Sequence, residues 1–145
     1  MKCEDQSAKD HSPFTYKEFA LSDTSEIVRS ACIEQLLSRK AEDIAVLDLR
    51  EVSDFVDHFI ICSGTSDVHV RACADAVIEG LKAEGQRPWQ VEGYDTRKWI
   101  LIDFVDFVVH IFQEESRHFY GLERLWGDAP VEHIKDEEEA LQNTN

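Results

Sequence analysis

The sequence predicts an α/β fold in which helices pack on a mixed five-stranded sheet, in the order α-β-β-α-β-β-β-α. Three observations lead to this fold class. Five short apolar runs have the length of strands, three longer segments repeat apolar residues at helical spacing, and turn-forming residues separate them. The pattern fills residues 23–129, which we interpret as one domain because a chain of 145 residues has ordinary single-domain length.

The first helix is predicted to begin at Asp23. Asp23 and Glu26 have the spacing of a capping box, in which each residue's side chain accepts a hydrogen bond from the other's backbone N–H. An apolar stripe at helical spacing follows, formed by Val28, Ala31, Cys32 and Leu36. Residues 44–49 and 59–62 are mostly apolar and predict two buried strands.

The second helix follows a turn of small residues, 63–66, with Ser66 as its N-cap. Its apolar face consists of Val70, Cys73, Val77 and Leu81. Gly85 stands where a left-handed residue ends a helix. Strands are predicted at residues 88–92, 99–103 and 107–112, and a last helix at 115–126 places Phe119, Leu122 and Trp126 on one face.

The two ends of the chain lie outside this pattern. Residues 1–22 contain Phe14, Tyr16 and Phe19 without a clear period, and we interpret them as a flexible N-terminal extension. Pro130 breaks a helix, and residues 136–139 are all acidic, so residues 130–145 are predicted to be a solvated acidic tail.

The charge of the chain restricts its partners. Lys plus Arg is 15 and Asp plus Glu is 30, which gives a net charge of −15. A protein that binds nucleic acid needs clustered cations, so we expect no sequence-specific nucleic-acid partner and favour a basic protein. No apolar run approaches the ~20 residues of a membrane span, and the N-terminus lacks a signal peptide, so a cytoplasmic location is expected. The four cysteines form no C-x-x-C pair and are predicted to be reduced, three of them in the core.

The turn at residues 63–66, between a strand and a helix, resembles the opening motif of polymerase-β-type nucleotidyltransferases. Those enzymes need a carboxylate pair on the strand after the helix and a third carboxylate later, because two Mg²⁺ ions must be held against a triphosphate. Here that strand offers Glu92 with the uncharged Gln90 two residues away, and Asp103 as a third ligand. The segment is therefore compatible with that fold, but we expect no enzymatic activity, no metal and no cofactor.

An enzymatic alternative remains open at this stage. Asp48, Asp57 and Asp106 would be spare ligands if the metal carboxylates had moved. A turn of small residues before a helix exposes backbone N–H groups that suit a phosphate, but a tight turn with an N-cap explains Gly64 and Ser66 completely without any ligand. His110, which alternates within an apolar strand, is expected to be a hydrogen-bonded, buried or half-buried residue rather than a catalyst.

The remaining signal is typical of a protein–protein interface. Large amphipathic aromatics stand near acidic residues, and such anchors with a charged rim form binding hot spots. Trp99, Leu101 and Asp103 share one face of their strand by alternation. The candidate partner-binding residues are Trp99, Tyr120, Tyr94, Glu92, Asp103 and Glu123.

Several motifs resemble, in order and spacing, those of the Iojap family of ribosomal silencing factors. The matching segments are residues 59–66 (FIICSGTS) with the following His69-Val70, 91–93 (VEG), 99–104 (WILIDF), 108–112 (VVHIF) and 117–129, which includes LERLW. The resemblance covers about residues 25–129. One departure is Val105-Asp106, where the family usually has Gly-Asp, and a valine resists the positive φ that suits such a turn.

The resemblance implies a nucleotidyltransferase-like fold without that activity. It also implies a translation repressor that binds the large ribosomal subunit through the ribosomal protein numbered fourteen and blocks joining of the small subunit. Organelle members of the family are linked to large-subunit assembly, and a homodimer is compatible with the resemblance. Trp99 matches the family's tryptophan and would be the apolar anchor, flanked by Tyr120, with Glu92, Asp103 and Glu123 as the acids nearest the basic partner.

Overall fold

Six strands form one mixed sheet in the computed structural model, which describes residues 16–135. Along the chain the elements are α1 Tyr16–Ser38, β1 Glu42–Asp48, β2 His58–Gly64, α2 Asp67–Ala83, β3 Gln90–Glu92, β4 Trp99–Asp103, β5 Phe107–Gln113, α3 Glu114–Tyr120, α4 Leu122–Leu125 and β6 Val131–His133. The helices packed on one mixed sheet confirm the predicted α/β class. The likeness to nucleotidyltransferases stays a prediction.

The strands lie in the order β3-β4-β5-β2-β1-β6. β2 and β5 pair in parallel, and the other neighbours are antiparallel. Side chains alternate between the two faces of the sheet. One face, which we call the helix face, packs against α1 and α2 through buried residues such as Ile60, Ile102 and Val109. The other, which we call the opposite face, packs Leu47, Ile61 and Phe112 partly under α4.

The predicted ends of α2 are confirmed. The Ser66 side chain accepts a hydrogen bond from the His69 backbone N–H, and Gly85 follows the helix with φ +81°. The predicted burial of three cysteines is also confirmed, since Cys32, Cys62 and Cys73 are free thiols with no exposed surface. Burial raises the pKa of the Cys73 thiol to about 11, so it remains protonated.

The predicted start of α1 is wrong. The helix begins at Tyr16, so Asp23 and Glu26 lie inside it and do not form its N-terminus. No glycine or proline separates Tyr16 from Asp23, and an aspartate inside a helix costs only a few tenths of a kcal/mol, so nothing stops the helix from extending. The helix therefore takes up the end of the predicted extension 1–22, and residues 1–15 lie outside the described part.

The predicted count of five strands is also wrong, because the beginning of the predicted tail forms β6. β6 pairs with β1 from Val131 opposite Leu47 to His133 opposite Ala45. The bond from the Asp48 N–H to the Pro130 carbonyl extends the pairing. Without β6 the edge of β1 would leave unpaired backbone groups, which explains why a short polar segment is recruited there. The acidic run 136–139 lies outside the described residues.

The predicted single helix at residues 115–126 is two helices. Gly121 adopts φ +56°, ends α3 as its left-handed C-cap and starts α4. The break changes the helical register, so Phe119 is 77% exposed while Leu122 and Trp126 pack on the opposite face. The predicted common face of these three residues is therefore wrong for Phe119.

The sequence indicated that Val105 resists the positive φ of a tight turn between β4 and β5. The structure shows that the turn is strained at this residue. Val105 adopts φ +77° and its side chain is 58% exposed. A β-branched residue in this region is a rare outlier. No helix in residues 16–135 is long and apolar enough to span a bilayer.

Candidate partner-binding surface

Trp99 begins β4 on the opposite face, next to Phe112 of β5. Its ring stacks on Phe112 at 4.9 Å between centroids and lies 4.8 Å from the ring of Tyr120. Its indole N–H donates to Nδ1 of His110 at 3.0 Å. The tryptophan is half-buried, so one part of its ring is fixed in the protein and the rest lies at the surface. This is the arrangement of a preorganised aromatic anchor.

His110 is the buried support of this anchor. It is 3% exposed, and the Phe59 ring stands edge-on to it with centroids 4.5 Å apart. Burial lowers the pKa of His110 to about 3, so the imidazole is neutral at physiological pH. Because Nδ1 accepts from Trp99, the proton of the neutral ring is on Nε2, which has no hydrogen-bond partner. The predicted buried, hydrogen-bonded histidine is confirmed.

Tyr120 and Phe119 extend the aromatic surface at the end of α3. Tyr120 is 51% exposed and Phe119 is 77% exposed, with their rings edge-to-face at 5.1 Å. Tyr120 thus lies beside Trp99, as the sequence predicted. Phe119 is a surface residue that the sequence placed on one helix face with Leu122 and Trp126, and the local signal against that placement was Gly121 inside the helical pattern.

Glu92 shares the face of Trp99 because it pairs directly with Leu101 of β4. It is exposed, as is Gln90 opposite Asp103. Gly93 follows in the turn with φ +79°, and a Cβ on it would stand 2.0 Å from the Trp99 carbonyl oxygen. The glycine of the VEG motif therefore lets the turn close directly over the start of β4.

Asp103 ends β4 on the same face as Trp99 and Leu101. Its carboxylate accepts a bond of 2.7 Å from the Val105 N–H, which fixes the following turn. Its side chain is part-exposed, so the carboxylate has both a local structural contact and access to solvent.

Glu123, the third acid expected near the partner, is paired within the protein. Its carboxylate forms two hydrogen bonds with the Arg117 guanidinium, at 3.0 and 3.1 Å, and Arg117 also donates to the Ser63 hydroxyl at 2.9 Å. Hydrogen bonding to Arg117 lowers the pKa of Glu123. This pair connects α3, α4 and β2, and its charge is largely compensated within the protein.

Tyr94 lies away from the other candidates. Its hydroxyl donates to Asp75 at 2.7 Å and accepts from Arg71 at 3.0 Å, so it binds two residues of α2. Its ring packs on the core of the helix face. The structure therefore brings Trp99, Tyr120, Glu92 and Asp103 to one face of the sheet and assigns Tyr94 to the other.

The predicted turn at residues 63–66 is shorter in the structure, because Ser63 and Gly64 end β2, and the connection to α2 is bonded within the protein. The Thr65 N–H donates to Nδ1 of His69 at 2.9 Å, and the His69 ring also bonds the Arg39 carbonyl at 2.6 Å. A methyl group on Gly64 would meet Val70 at 2.8 Å, so the glycine is required for packing. The Thr65 N–H is therefore occupied within the protein, and Ser66 caps α2.

The carboxylates of the enzymatic alternative lie at the other end of the sheet from this turn. Asp48 ends β1 beside the start of β2 and forms a bidentate pair with Arg50. The Asp57 N–H donates to the Asp106 carbonyl near the same end of β2. A seven-residue strand such as β2 separates its ends by about 20 Å. Within residues 16–135, no group of three or more His, Cys, Asp or Glu is arranged to hold a metal ion.

Comparisons with known proteins agree on one family. A family model described as "Ribosomal silencing factor during starvation" matches residues 22–145. The chain is 40% identical over 106 residues to Ribosomal silencing factor RsfS of Bacillus subtilis (strain 168), which covers 73% of this chain and 86% of that protein. It is 32% identical over 97 residues to a Mus musculus protein named "Mitochondrial assembly of ribosomal large subunit protein 1", covering 65% of this chain and 42% of that one.

The fold is also similar to a solved structure. A crystal structure of a protein from Chromobacterium violaceum superimposes with a TM-score of 0.69 at 32% sequence identity, covering 70% of this chain and 85% of the other. The similarity therefore extends over most of the two chains.

Proposed function

This chain belongs to the RsfS family of ribosomal silencing factors, and on that premise we propose that it represses translation by occupying the large ribosomal subunit. In this proposal it binds a basic protein at the subunit interface, the ribosomal protein numbered fourteen, and blocks joining of the small subunit. Steric exclusion needs no catalysis. Binding must only be strong enough to compete with the small subunit.

The observation that supports the binding mode best is the Trp99–Tyr120 pair. Trp99 is oriented by Phe112 and His110, so little side-chain entropy is lost on binding, while Tyr120 exposes half of its surface beside it. Glu92 and Asp103 lie on the same face of the sheet and supply negative charge. Such a surface fits a basic partner with an apolar pocket and repels the phosphates of surrounding rRNA.

The test is co-sedimentation of the protein with isolated large subunits, followed by addition of small subunits. Wild type is expected to sediment with large subunits and to prevent formation of joined ribosomes. Trp99→Ala should weaken binding by about 2–4 kcal/mol, or about 30- to 1,000-fold, and lose the block on joining. Wild-type protein that remains in the supernatant at low and moderate salt would overturn the proposal.

Further variants separate binding from folding, because Trp99→Ala also removes a packed side chain. Tyr120→Ala truncates a half-exposed ring and should weaken binding while the fold is kept. Tyr94→Phe is the matched control, since that aromatic lies on the helix face and should leave binding unchanged. If Tyr94→Phe weakened binding as much as Tyr120→Ala, the assignment of the face would be wrong.

The acidic residues on this face predict a kinetic effect. Asp103→Asn removes the charge but keeps an oxygen that can accept from the Val105 N–H. We expect a slower association rate and a weaker dependence on salt, with a nearly unchanged dissociation rate.

A homodimer that used the Trp99 face would compete with the ribosome, and sedimentation velocity of wild type beside Trp99→Ala would detect it.

A further inference from the structure

A second exposed apolar surface lies at the far end of the sheet from Trp99. Three loops meet there. The Trp89 N–H donates to the Asp103 carbonyl, which places Trp89 beside the end of β4, and Val105 follows in the next turn. The Asp57 N–H donates to the Asp106 carbonyl, which brings the loop containing Phe55 against the same turn. We call the surface formed by Phe55, Trp89 and Val105 the loop end.

All three side chains of the loop end are exposed. Phe55 is 92% exposed, Trp89 is 71% exposed and Val105 is 58% exposed. Strands in a sheet are spaced about 4.8 Å apart, so the strands that these loops adjoin, from β3 to β2, span about 15 Å across the sheet. Large apolar side chains that are close together and exposed are typical of an interaction site, whereas scattered ones are not.

Acidic residues surround this surface. Glu51, Asp54, Asp57 and Asp106 are all exposed in the loops that form it. Of the two cations in these loops, Arg50 is bound in a bidentate pair to Asp48, and the other is Arg87. The loop end therefore has an apolar centre and a net negative rim, which complements a basic protein segment with apolar side chains and disfavours nucleic acid.

Val105 gives a second, independent reason to regard this end as functional. It keeps φ +77°, a conformation that glycine adopts without strain, and its valine side chain contributes to the exposed surface. A glycine would remove both the strain and the apolar group. Residues held in such strained backbone conformations cluster at functional sites.

We propose that the loop end is a second docking surface, which binds a Lys/Arg-rich protein segment carrying apolar side chains on the large ribosomal subunit. The proposal rests on the proposed function, because it takes the large subunit as the source of the segment. The residues of the two sites differ, since no loop-end side chain belongs to the surface formed by Trp99, Tyr120, Glu92 and Asp103, which we call the Trp99 surface.

The experiment measures the affinity of full-length variants for salt-washed large subunits. The loop-end variant is Phe55→Ser/Trp89→Ser/Val105→Asn, in which asparagine tolerates the positive φ. The matched control is Ile27→Ser/Val68→Ser, which removes exposed apolar side chains from α1 and α2. We expect the loop-end variant to bind at least tenfold more weakly and the control to bind like wild type. Circular dichroism of each variant verifies that it is folded.

A charge reversal identifies the class of partner. Glu51→Lys/Asp54→Lys should weaken binding severalfold if a basic protein segment docks at the loop end, and should strengthen it if rRNA phosphate does, which would overturn the proposal. Unchanged binding of a folded loop-end variant would overturn this proposal alone. Absence of binding by wild type would overturn the proposed function as well. Loss of self-association in the loop-end variant, with unchanged subunit binding, would show that a second copy occupies the surface and would also overturn it.

Discussion

Replacing Val105 by glycine should stabilise the protein. Val105 has φ +77°, and holding a non-glycine residue in such a region costs about 1–3 kcal/mol. Relieving this strain is the gain from glycine. Part of it is lost, because glycine makes the unfolded chain more flexible and ordering that chain costs about 0.4–1 kcal/mol more. The valine is 58% exposed, so the lost burial is well below the roughly 1.5–3 kcal/mol of a fully buried side chain. The net expectation is a gain of about 0.5–1.5 kcal/mol.

Val105→Gly is compared with wild type by urea unfolding, read from the midpoint and the slope, and by thermal unfolding, read from Tm. A gain of about 1 kcal/mol corresponds to a rise in Tm of roughly 2–5 °C for a chain of this size. Val105→Ala is the control, because it keeps the Cβ that causes the strain and should give no gain. A Val105→Gly variant no more stable than wild type would refute the argument from strain. If the loop end docks as proposed, the same variant should also bind large subunits more weakly, which would be a trade of stability for function.

Three further predictions concern the Trp99 surface and its support. Gly93→Ala should destabilise the fold by more than about 3 kcal/mol, seen as a large drop in Tm, because its Cβ would stand 2.0 Å from the Trp99 carbonyl oxygen at φ +79°. His110 has a folded pKa of about 3 against 6.5 for a free histidine, so protons favour the unfolded state as pH falls below about 6.5. Wild type should lose about 3 kcal/mol through this group between pH 6.5 and 4, and His110→Leu should flatten that slope in urea midpoints measured across the range. Glu123 has a lowered pKa in its pair with Arg117, so its stabilisation is complete above the ordinary value of 4.5 and is lost as pH falls through the folded pKa. Glu123→Gln should therefore cost about 1 kcal/mol at pH 7, allowing for partial exposure, and thermal melts should converge with wild type in strong acid; a constant difference down to pH 2 would contradict the pairing.

The two proposed binding surfaces lie at opposite ends of the sheet. Trp99 and Tyr120 lie at one end and Phe55, Trp89 and Val105 at the other, about the length of a strand apart. Two separated contacts would raise the residence time on the subunit, because both must release before the protein dissociates. This arrangement predicts that combining Trp99→Ala with the loop-end variant weakens binding more than either change alone.

The sequence determined most of the local structure. Apolar patterns identified the interior of α1 and α2 and the approximate position of each strand from β1 to β5, because an element that buries one face must repeat apolar residues at its own period. Ser66 and Gly85 marked the ends of α2, since their cap conformations depend only on neighbouring residues. Alternation along β4 placed Trp99, Leu101 and Asp103 on one face, and the departure at Val105 pointed to the strained turn.

Only the tertiary structure decided which distant groups meet. β6 forms because the edge of β1 has backbone groups to pair, and a segment of three exposed residues has no periodicity that announces it. Arg117 neutralises Glu123, and Tyr94 binds Asp75, through contacts between separate elements that no local pattern contains. Phe119 is exposed because Gly121 turns left-handed, a choice made by the packing of α4 on the sheet. Local patterns fix the elements because their free energy depends on near neighbours, whereas the exposed surface is whatever remains after those elements have packed.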